Sequence, residues 1–369
     1  MLYFNSKFET DERNIMIAVK KHGIIIEKTE IDFENSGVLN PAVSKVGNTL
    51  HMFYQAVHDG EFSCVGYCKL DGSIKVIERS LKPKFFQQES YEYKGIEDPR
   101  ITKIDDPFYL TYTACDGINC FGAYAISEDL IKFSRKGIIT PKFTIDEFAK
   151  LIEPITEERG DEHFLFYNLF MMYRLQDLMK GEIYVWDKSL VFFPKKINGK
   201  LALLHRLHPS VQLLCFKNPS ELTSEFWKQY IANLQLHIVM RPKLKHENSH
   251  IGAGCPPIET EDGWLIRYHS AQCAPKRYIY YSCAALLDIE DPKKVLGRLR
   301  KPIFSPTEPW EKAGYVTNIV FPTGTALFGE ELYIYYGTAD SRAAVASLNI
   351  NKLLKELKIH NYEKSTYEI

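Results

Sequence analysis

The string Gly95-Ile96-Glu97-Asp98-Pro99-Arg100 places two carboxylic acids side by side, followed by a proline and an arginine. A carboxylic acid that is to give up a proton must hold it at working pH. Burial and the Glu97 charge would raise the pKa of Asp98, and Arg100 would lower it. Read alone, the string is also a surface turn with a charge-paired arginine. Its place in a repeat favours the functional reading. Asn40, Glu97, Asp98, Arg100, Arg206, His250, His269 and Asp340 all lie at or beside corresponding points of that repeat. A pocket of acids, amide, arginine and aromatics has the outline of a carbohydrate site, because hydroxyls need polar partners and ring faces need stacking. Ser249-His250-Ile251-Gly252-Ala253-Gly254-Cys255-Pro256-Pro257 is a second string, whose glycines allow close backbone approach to a ligand or anion. It lacks the strand-turn-helix setting of a dinucleotide site. There is no Gly-x-Ser-x-Gly elbow and no His-Glu-x-x-His, so neither a serine nucleophile nor a metal centre is indicated. His205 and His208 read as structural or pocket residues.

Five similar segments must position these groups. Each starts at or beside a proline, at 41, 99, 194, 257 and 322, and runs through a short apolar strand and a turn into an alternating strand. The turns are Gly47-Asn48, Asp105-Asp106, Asn198-Gly199, Asp262-Gly263 and Gly329-Glu330, most of them hairpin chemistry. A period of about 60 residues holding several short strands predicts a propeller blade, with the prolines at the start of the innermost strands. The expected fold is all-β, a five-bladed β-propeller occupying residues 1–369 as one catalytic domain. One gap is too long, and the excess predicts a partly helical insertion at residues 144–180, including helices over 146–152 and 169–179. Its aromatics, Phe164, Phe166, Tyr167, Phe170 and Tyr173, suit an acceptor site or a homo-oligomer interface. Further helical pieces are expected at 221–234 and 351–357.

Composition narrows the function. In 369 residues, 46 Lys and Arg balance 47 Asp and Glu for a net charge of -1, which argues against nucleic acid and anionic membranes as partners. Eight cysteines form no Cys-x-x-Cys pair and read as free thiols. With no basic leader and no membrane-length apolar run, a cytoplasmic location is expected.

The strings, taken in order, resemble glycoside hydrolase family 130, the inverting β-mannoside phosphorylases and β-1,2-mannosidases. The resemblance runs from about Val38 to Leu354. It rests on Asn40-Pro41, Gly95 to Arg100, Phe193-Pro194 with Leu204-His205-Arg206, Ile251-Gly252-Ala253-Gly254, Tyr268-His269, Val320-Phe321-Pro322, and Tyr335-Tyr336-Gly337 with Ala339-Asp340. It implies that Asp98 is the general acid, acting through the sugar's 3-hydroxyl. It implies that Asn40 and Asp340 bind the sugar, and the place of Glu97, Arg100 and His269 in the repeat makes them further candidates for sugar binding. No cofactor or metal is implied; inorganic phosphate is the co-substrate of an oligosaccharide in the phosphorolytic members. Arg206, Tyr280, Lys188 and His250 correspond to the phosphate ligands. Here His250 stands where lysine is usual, Lys188 where arginine is commoner, and Gln55 where an arginine would follow Tyr54. The expected reaction is inverting phosphorolysis of a β-mannoside to α-mannose 1-phosphate. The alternatives are an inverting β-1,2-mannosidase with Glu247 as base, and a non-catalytic sugar-binding propeller.

Overall fold

The computed structural model describes residues 17–59, 61–159, 182–275 and 277–359. Strand β1 (Lys20–Glu27) comes first among the described residues but belongs to the last of five antiparallel units, four of them four-stranded and the fourth of five strands. The first unit orders β2 (Gly37–Val46), β3 (Thr49–His58), β4 (Phe62–Asp71) and β5 (Lys75–Arg79). The second orders β6 (Gly95–Lys103), β7 (Phe108–Cys115), β8 (Cys120–Ser127) and β9 (Ser134–Ile138), and touches the first through one parallel pair, Ser63 with Gly95. The third orders β10 (Asp187–Phe192), β11 (Leu201–Leu207), β12 (Val211–Phe216) and β13 (Ile238–Met240). In the fourth, β14 (His250–Ala253) and β15 (Ile258–Thr260) both pair β16 (Gly263–Ala274), which is followed by β17 (Arg277–Leu287) and β18 (Val295–Arg298). The fifth orders β19 (Val320–Phe328), β20 (Glu331–Thr338) and β21 (Arg342–Asn349), and β1 completes it.

The hairpin turns fall where glycine, asparagine and aspartate predict them. Gly47, Asp105, Asn198, Gly199, Gly263 and Gly329 all take positive φ. Five apolar cores separate the units. Phe53 and Leu110 lie in the first, between units one and two; Phe192 and Tyr124 join units two and three; Phe193 and Trp264 join three and four; Leu265 and Ile334 join four and five. The cycle closes between five and one, where Tyr335 meets Met52. Helix α1 (Ile145–Arg159) buries Phe148 and Ile152 in the core of units two and three, the start of the expected insertion. The rest of that insertion, residues 160–181, lies outside the described residues, as do the helix expected at 169–179 and the aromatics named above. Helix α2 (Ser224–Ala232) adds Trp227, Tyr230 and Ile231 to the same core, and its first turn is capped by Thr223. A short α3 (Pro309–Lys312) precedes β19, and α4 (Ile350–Ile359) seats Leu353, Leu354 and Leu357 against units four and five.

Four units share a clasp. A glutamate with no exposed surface ends or closes the helical turn before the first strand: Glu34, Glu92, Glu247 and Glu311. A tyrosine of the second strand donates to it: Tyr54 (2.7 Å), Tyr112 (2.7 Å), Tyr268 (2.8 Å) and Tyr336 (2.8 Å). A cation from the outer strand pairs with it: Arg79 (3.0 Å), Arg135 (3.1 Å), Arg298 (2.6 Å) and, from β1, Lys21 (2.6 Å). The third unit departs from this pattern. Asp187, at the start of β10, bonds His205 Nδ1 at 2.7 Å, and His205 Nε2 meets the Tyr230 hydroxyl at 2.8 Å.

One cysteine expectation is corrected. Cys115 and Cys120 face each other across the β7–β8 hairpin, with Cα atoms 4.3 Å apart, and form a disulfide. The other six remain free thiols. Among the described residues, no helix is long and apolar enough to cross a membrane.

A buried ion pair adds little net stability, but removing one partner strands the other charge. Arg298→Met is therefore expected to cost about 3–5 kcal/mol in denaturant unfolding. A change below about 0.5 kcal/mol, the range of ordinary surface substitutions, would show that the clasp is incidental.

Candidate active site

The inner strands are interrupted at matching places. Ladder register shifts between Leu39 and Ala42, Glu97 and Arg100, Lys188 and Val191, and Pro322 and Gly324. In the fourth unit the break falls between Ala253 and Ile258, where the ladder passes from β14 to β15. A bulge leaves a residue unpaired and re-aims its side chain. Asn40 (φ 50°), Asp98 (φ 52°) and Ser189 (φ 59°) are the residues turned in this way. Pro41 and Pro99 follow directly, where a missing N–H does not break a ladder bond. The repeat read from sequence placed the third such point at Phe193-Pro194. The bulge lies earlier, at Ser189, because Phe193 still pairs with Ala202.

One side of the site is acidic. Asn40 Nδ2 donates to Asp98 Oδ1 at 2.5 Å, and the Asp98 amide donates to Gln55 Oε1 at 3.1 Å. Asn40 Oδ1 is fully covered, and a Cβ at Gly337 would lie 1.9 Å from it, so glycine there lets the fifth unit close on Asn40. Asp340 comes from the turn after β20 with φ 48°. Burial first, then the charges of Asp98 and Glu97, push its pKa up to about 7. Glu97 carries the counter-charge, Lys188 Nζ, at 3.3 Å. The disulfide sulfurs lie within 4.8 Å of the Glu97 carboxylate, so the β7–β8 turn walls this side. Sulfurs committed to a disulfide are not thiolate ligands, so this group makes no case for a metal.

The other side is basic and aromatic. Lys188 of β10 and Arg206 of β11 are directly opposed, and Asp187 Oδ1 accepts from the Arg206 amide at 3.2 Å. Arg206 Nη1 donates to His269 Nε2 at 3.0 Å. Arginine can only donate, so His269 is neutral with its proton on Nδ1. Burial and then the Arg206 charge hold its pKa well below the ordinary value. His269 lies against Phe321, with ring centroids 4.3 Å apart. Tyr280 lies 5.9 Å from His269 and 5.7 Å from His250, centroid to centroid. Burial raises the Tyr280 pKa to about 12 against the opposing pull of Arg206, so it remains a hydroxyl donor.

Two expected site residues sit elsewhere. Arg100 has no exposed surface and spends its donors on the carbonyls of Asp98 (2.9 Å), Pro99 (3.0 Å) and Gly254. These bonds from Nε and Nη1 hold the bulge that presents Asp98, and Nη2 is buried without a hydrogen-bond partner. Glu247 belongs to the fourth clasp. Its Oε1 meets Tyr268 and Arg298, and its Oε2 accepts from the Lys243 and Leu244 amides, both at 2.9 Å. Asn40, Glu97, Asp98, Lys188, Arg206, His250, His269, Tyr280 and Asp340 are linked by the contacts and electrostatic couplings described. Gln55, Gly254 and Phe321 also serve the site. Gln55 is legible as the residue standing where the family resemblance leads one to expect arginine, Gly254 as part of the glycine string, and Phe321 carries no chemical signal of its own.

A family model described as beta-1,4-mannooligosaccharide phosphorylase matches residues 11–359. A 1,2-beta-oligomannan phosphorylase from Thermoanaerobacter sp. (strain X514) is 30% identical over 351 residues, covering 89% of this chain and 96% of the relative. The beta-1,2-mannobiose phosphorylase of Listeria innocua, solved with beta-1,2-mannobiose, superposes with a TM-score of 0.67 at 20% identity, over 92% of this chain and 99% of that one. A second solved structure, described as showing that the GH130 mannoside phosphorylases contain hydrolases of beta-1,2 mannosidic linkages in Candida mannan, gives 0.68 at 21% identity over 94% and 97%. The match along nearly the whole length makes this chain an enzyme of glycoside hydrolase family 130.

Proposed function

We propose that this enzyme is an inverting β-mannoside phosphorylase built as a five-bladed β-propeller, acting on β-1,2-linked oligomannan. The propeller reading is supported by five antiparallel units of four or five strands whose five cores follow one another in a closed cycle. The linkage is supported by the name of the Thermoanaerobacter relative. Asp98 gives its proton, by way of the mannosyl 3-hydroxyl, to the leaving glycosidic oxygen. Asn40 occupies Oδ1, which leaves Oδ2 to carry that proton. Phosphate attacks the anomeric carbon from the opposite face as the glycosidic bond breaks. The shortened oligosaccharide leaves with the proton, and α-mannose 1-phosphate is the other product. Glu97 and Asp340 bind sugar hydroxyls, and Arg206, Lys188, Tyr280 and His250 hold phosphate.

The observation that carries phosphorolysis over hydrolysis is the engagement of Glu247. An inverting hydrolase needs a second carboxylate roughly 6.5–9.5 Å from its acid, with water between them. Glu247 has no exposed surface, and both of its oxygens are spent within the fourth clasp. On the side away from the acids stand Arg206, His269, Tyr280 and His250, groups suited to an anion.

Incubation with β-1,2-mannobiose should yield mannose 1-phosphate only when phosphate is present. Free mannose released equally fast without phosphate would establish hydrolysis instead. Asp98→Asn should lower kcat by about 10²–10⁴ while keeping sugar affinity, since only the proton donor is lost. Unchanged turnover would remove Asp98 from the chemistry. Asp340 supplies a separate check. Its folded pKa of about 7 exceeds the 3.8 of an ordinary aspartate, so the folded state binds a proton that the unfolded state releases. That contribution to stability is complete below the lower value and is lost as pH rises through the higher one. The unfolding free energy should therefore fall more between about pH 5 and about pH 8 in the wild type than in Asp340→Asn. Equal slopes would contradict the raised pKa.

A further inference from the structure

The anion-accepting side contains more imidazole than permanent charge. His250 opens β14, and ladder register places its backbone opposite Ala271. The groups that face its ring come from four elements. Arg206 belongs to β11, and His208, just past the end of that strand, lies with its ring centroid 4.7 Å away. His269 of β16 lies at 6.1 Å. Tyr278 and Tyr280 of β17 lie at 5.9 Å and 5.7 Å. Its own neighbour Ser249 meets Nδ1 at 2.9 Å, and the Tyr280 hydroxyl is 3.5 Å from Nε2. No carboxylate is among these contacts. Lys188 is paired with Glu97 and Arg100 donates to backbone carbonyls, so among the described groups Arg206 is the permanent cation whose charge acts on His250.

A dianion held by one arginine, a tyrosine hydroxyl and neutral rings is short of positive charge. His269 cannot supply it, because its Nε2 accepts from Arg206. His250 can: its ring nitrogens meet only hydroxyls, which turn to accept as readily as to donate. We propose that the anion enters this site together with one proton, taken up by His250, so that anion affinity depends on pH through the protein rather than through the ligand. Before binding, burial and the Arg206 charge hold His250 far below its ordinary value, and the same two causes hold His208 at about 3. A neighbouring negative charge reverses the second of these influences, which is the linkage that draws the proton in. The inference rests on the phosphorylase reading for the identity of the anion, but its test reads binding alone.

Sulfate is the probe, because it stays a dianion across the neutral range and phosphate does not. Calorimetric titration of the full chain with sulfate, in two buffers of different ionisation enthalpy, counts the protons taken up per anion. About one proton per sulfate is expected for the wild type, with the dissociation constant rising about tenfold per pH unit above neutrality. His250→Lys, which carries its charge permanently, should bind sulfate with no uptake and a flat pH dependence. His250→Gln should bind more weakly, again with no uptake, and His208→Asn should keep the wild-type uptake. Sulfate binding without proton uptake in the wild type would overturn the proposal. So would uptake that survives in His250→Gln and disappears in His208→Asn, since the proton would then belong to His208. Failure of both sulfate and phosphate to bind would overturn it together with the phosphorylase reading, whereas phosphate-independent turnover with proton-linked sulfate binding would overturn only the latter.

Discussion

A carboxylate with no exposed surface must be met by a counter-charge and by donors for both oxygens, and this chain meets that demand four times with the same parts. Glu34, Glu92, Glu247 and Glu311 each tie the turn before an inner strand to a tyrosine one strand outward and to a cation on the sheet's outer strand. The clasp spans the width of the sheet, so the position of the inner strand is set from outside. That strand can then be broken by a bulge without coming loose. The third unit achieves the same end with Asp187, His205 and Tyr230, and there the acid lies in the inner strand itself. Lys188 follows Asp187 in sequence and Arg206 follows His205, so two cations of the site hang directly from this buried network.

Charge is sorted by unit. Asn40, Glu97, Asp98 and Asp340 come from units one, two and five, which are neighbours in the cycle. Lys188, Arg206, His250, His269 and Tyr280 come from units three and four. The pair between Glu97 and Lys188 is the seam between the two halves. A neutral polyol and an anion could thus be received on opposite sides of one site. The two sides still feel each other, since the Asp98 charge acts on Arg206 and on Tyr280.

Much of this was legible before any coordinates, for local reasons. The hairpin turns are written in glycine, asparagine and aspartate, and the positive φ at Gly47, Asn198 and Gly329 is the physical need those residues answer. Pro41 and Pro99 read from sequence as strand starts, but they lie inside β2 and β6, at bulges where a missing N–H breaks no ladder bond. The third bulge, at Ser189, has no proline to mark it. The clasps could not be read at all: Glu247 and Arg298 are 51 residues apart, and nothing local separates a clasp acid from a catalytic one. Glu247 was therefore taken as a candidate base. Arg100 shows a related limit of local reading, since a conspicuous cation beside two acids gives no hint that its Nε and Nη1 go to carbonyls. The Cys115–Cys120 pairing depends on strand register across a short turn, which spacing alone does not fix.

The closure of the fifth unit by β1 has a consequence for how the molecule is made. Lys20 lies opposite Ser347, so β1, the first of the described strands, finds its partner only after the strands of all five units have been translated. Until then β1 carries an unpaired edge, and Lys21 lacks the buried Glu311 that will hold it. The intermediate units can assemble on one another as they emerge, but the cycle cannot shut during synthesis. The pairing of β1 with β21 joins the two ends of the described chain, and Asp340, of the acid-lined half of the site, sits in the turn that leads from β20 into β21.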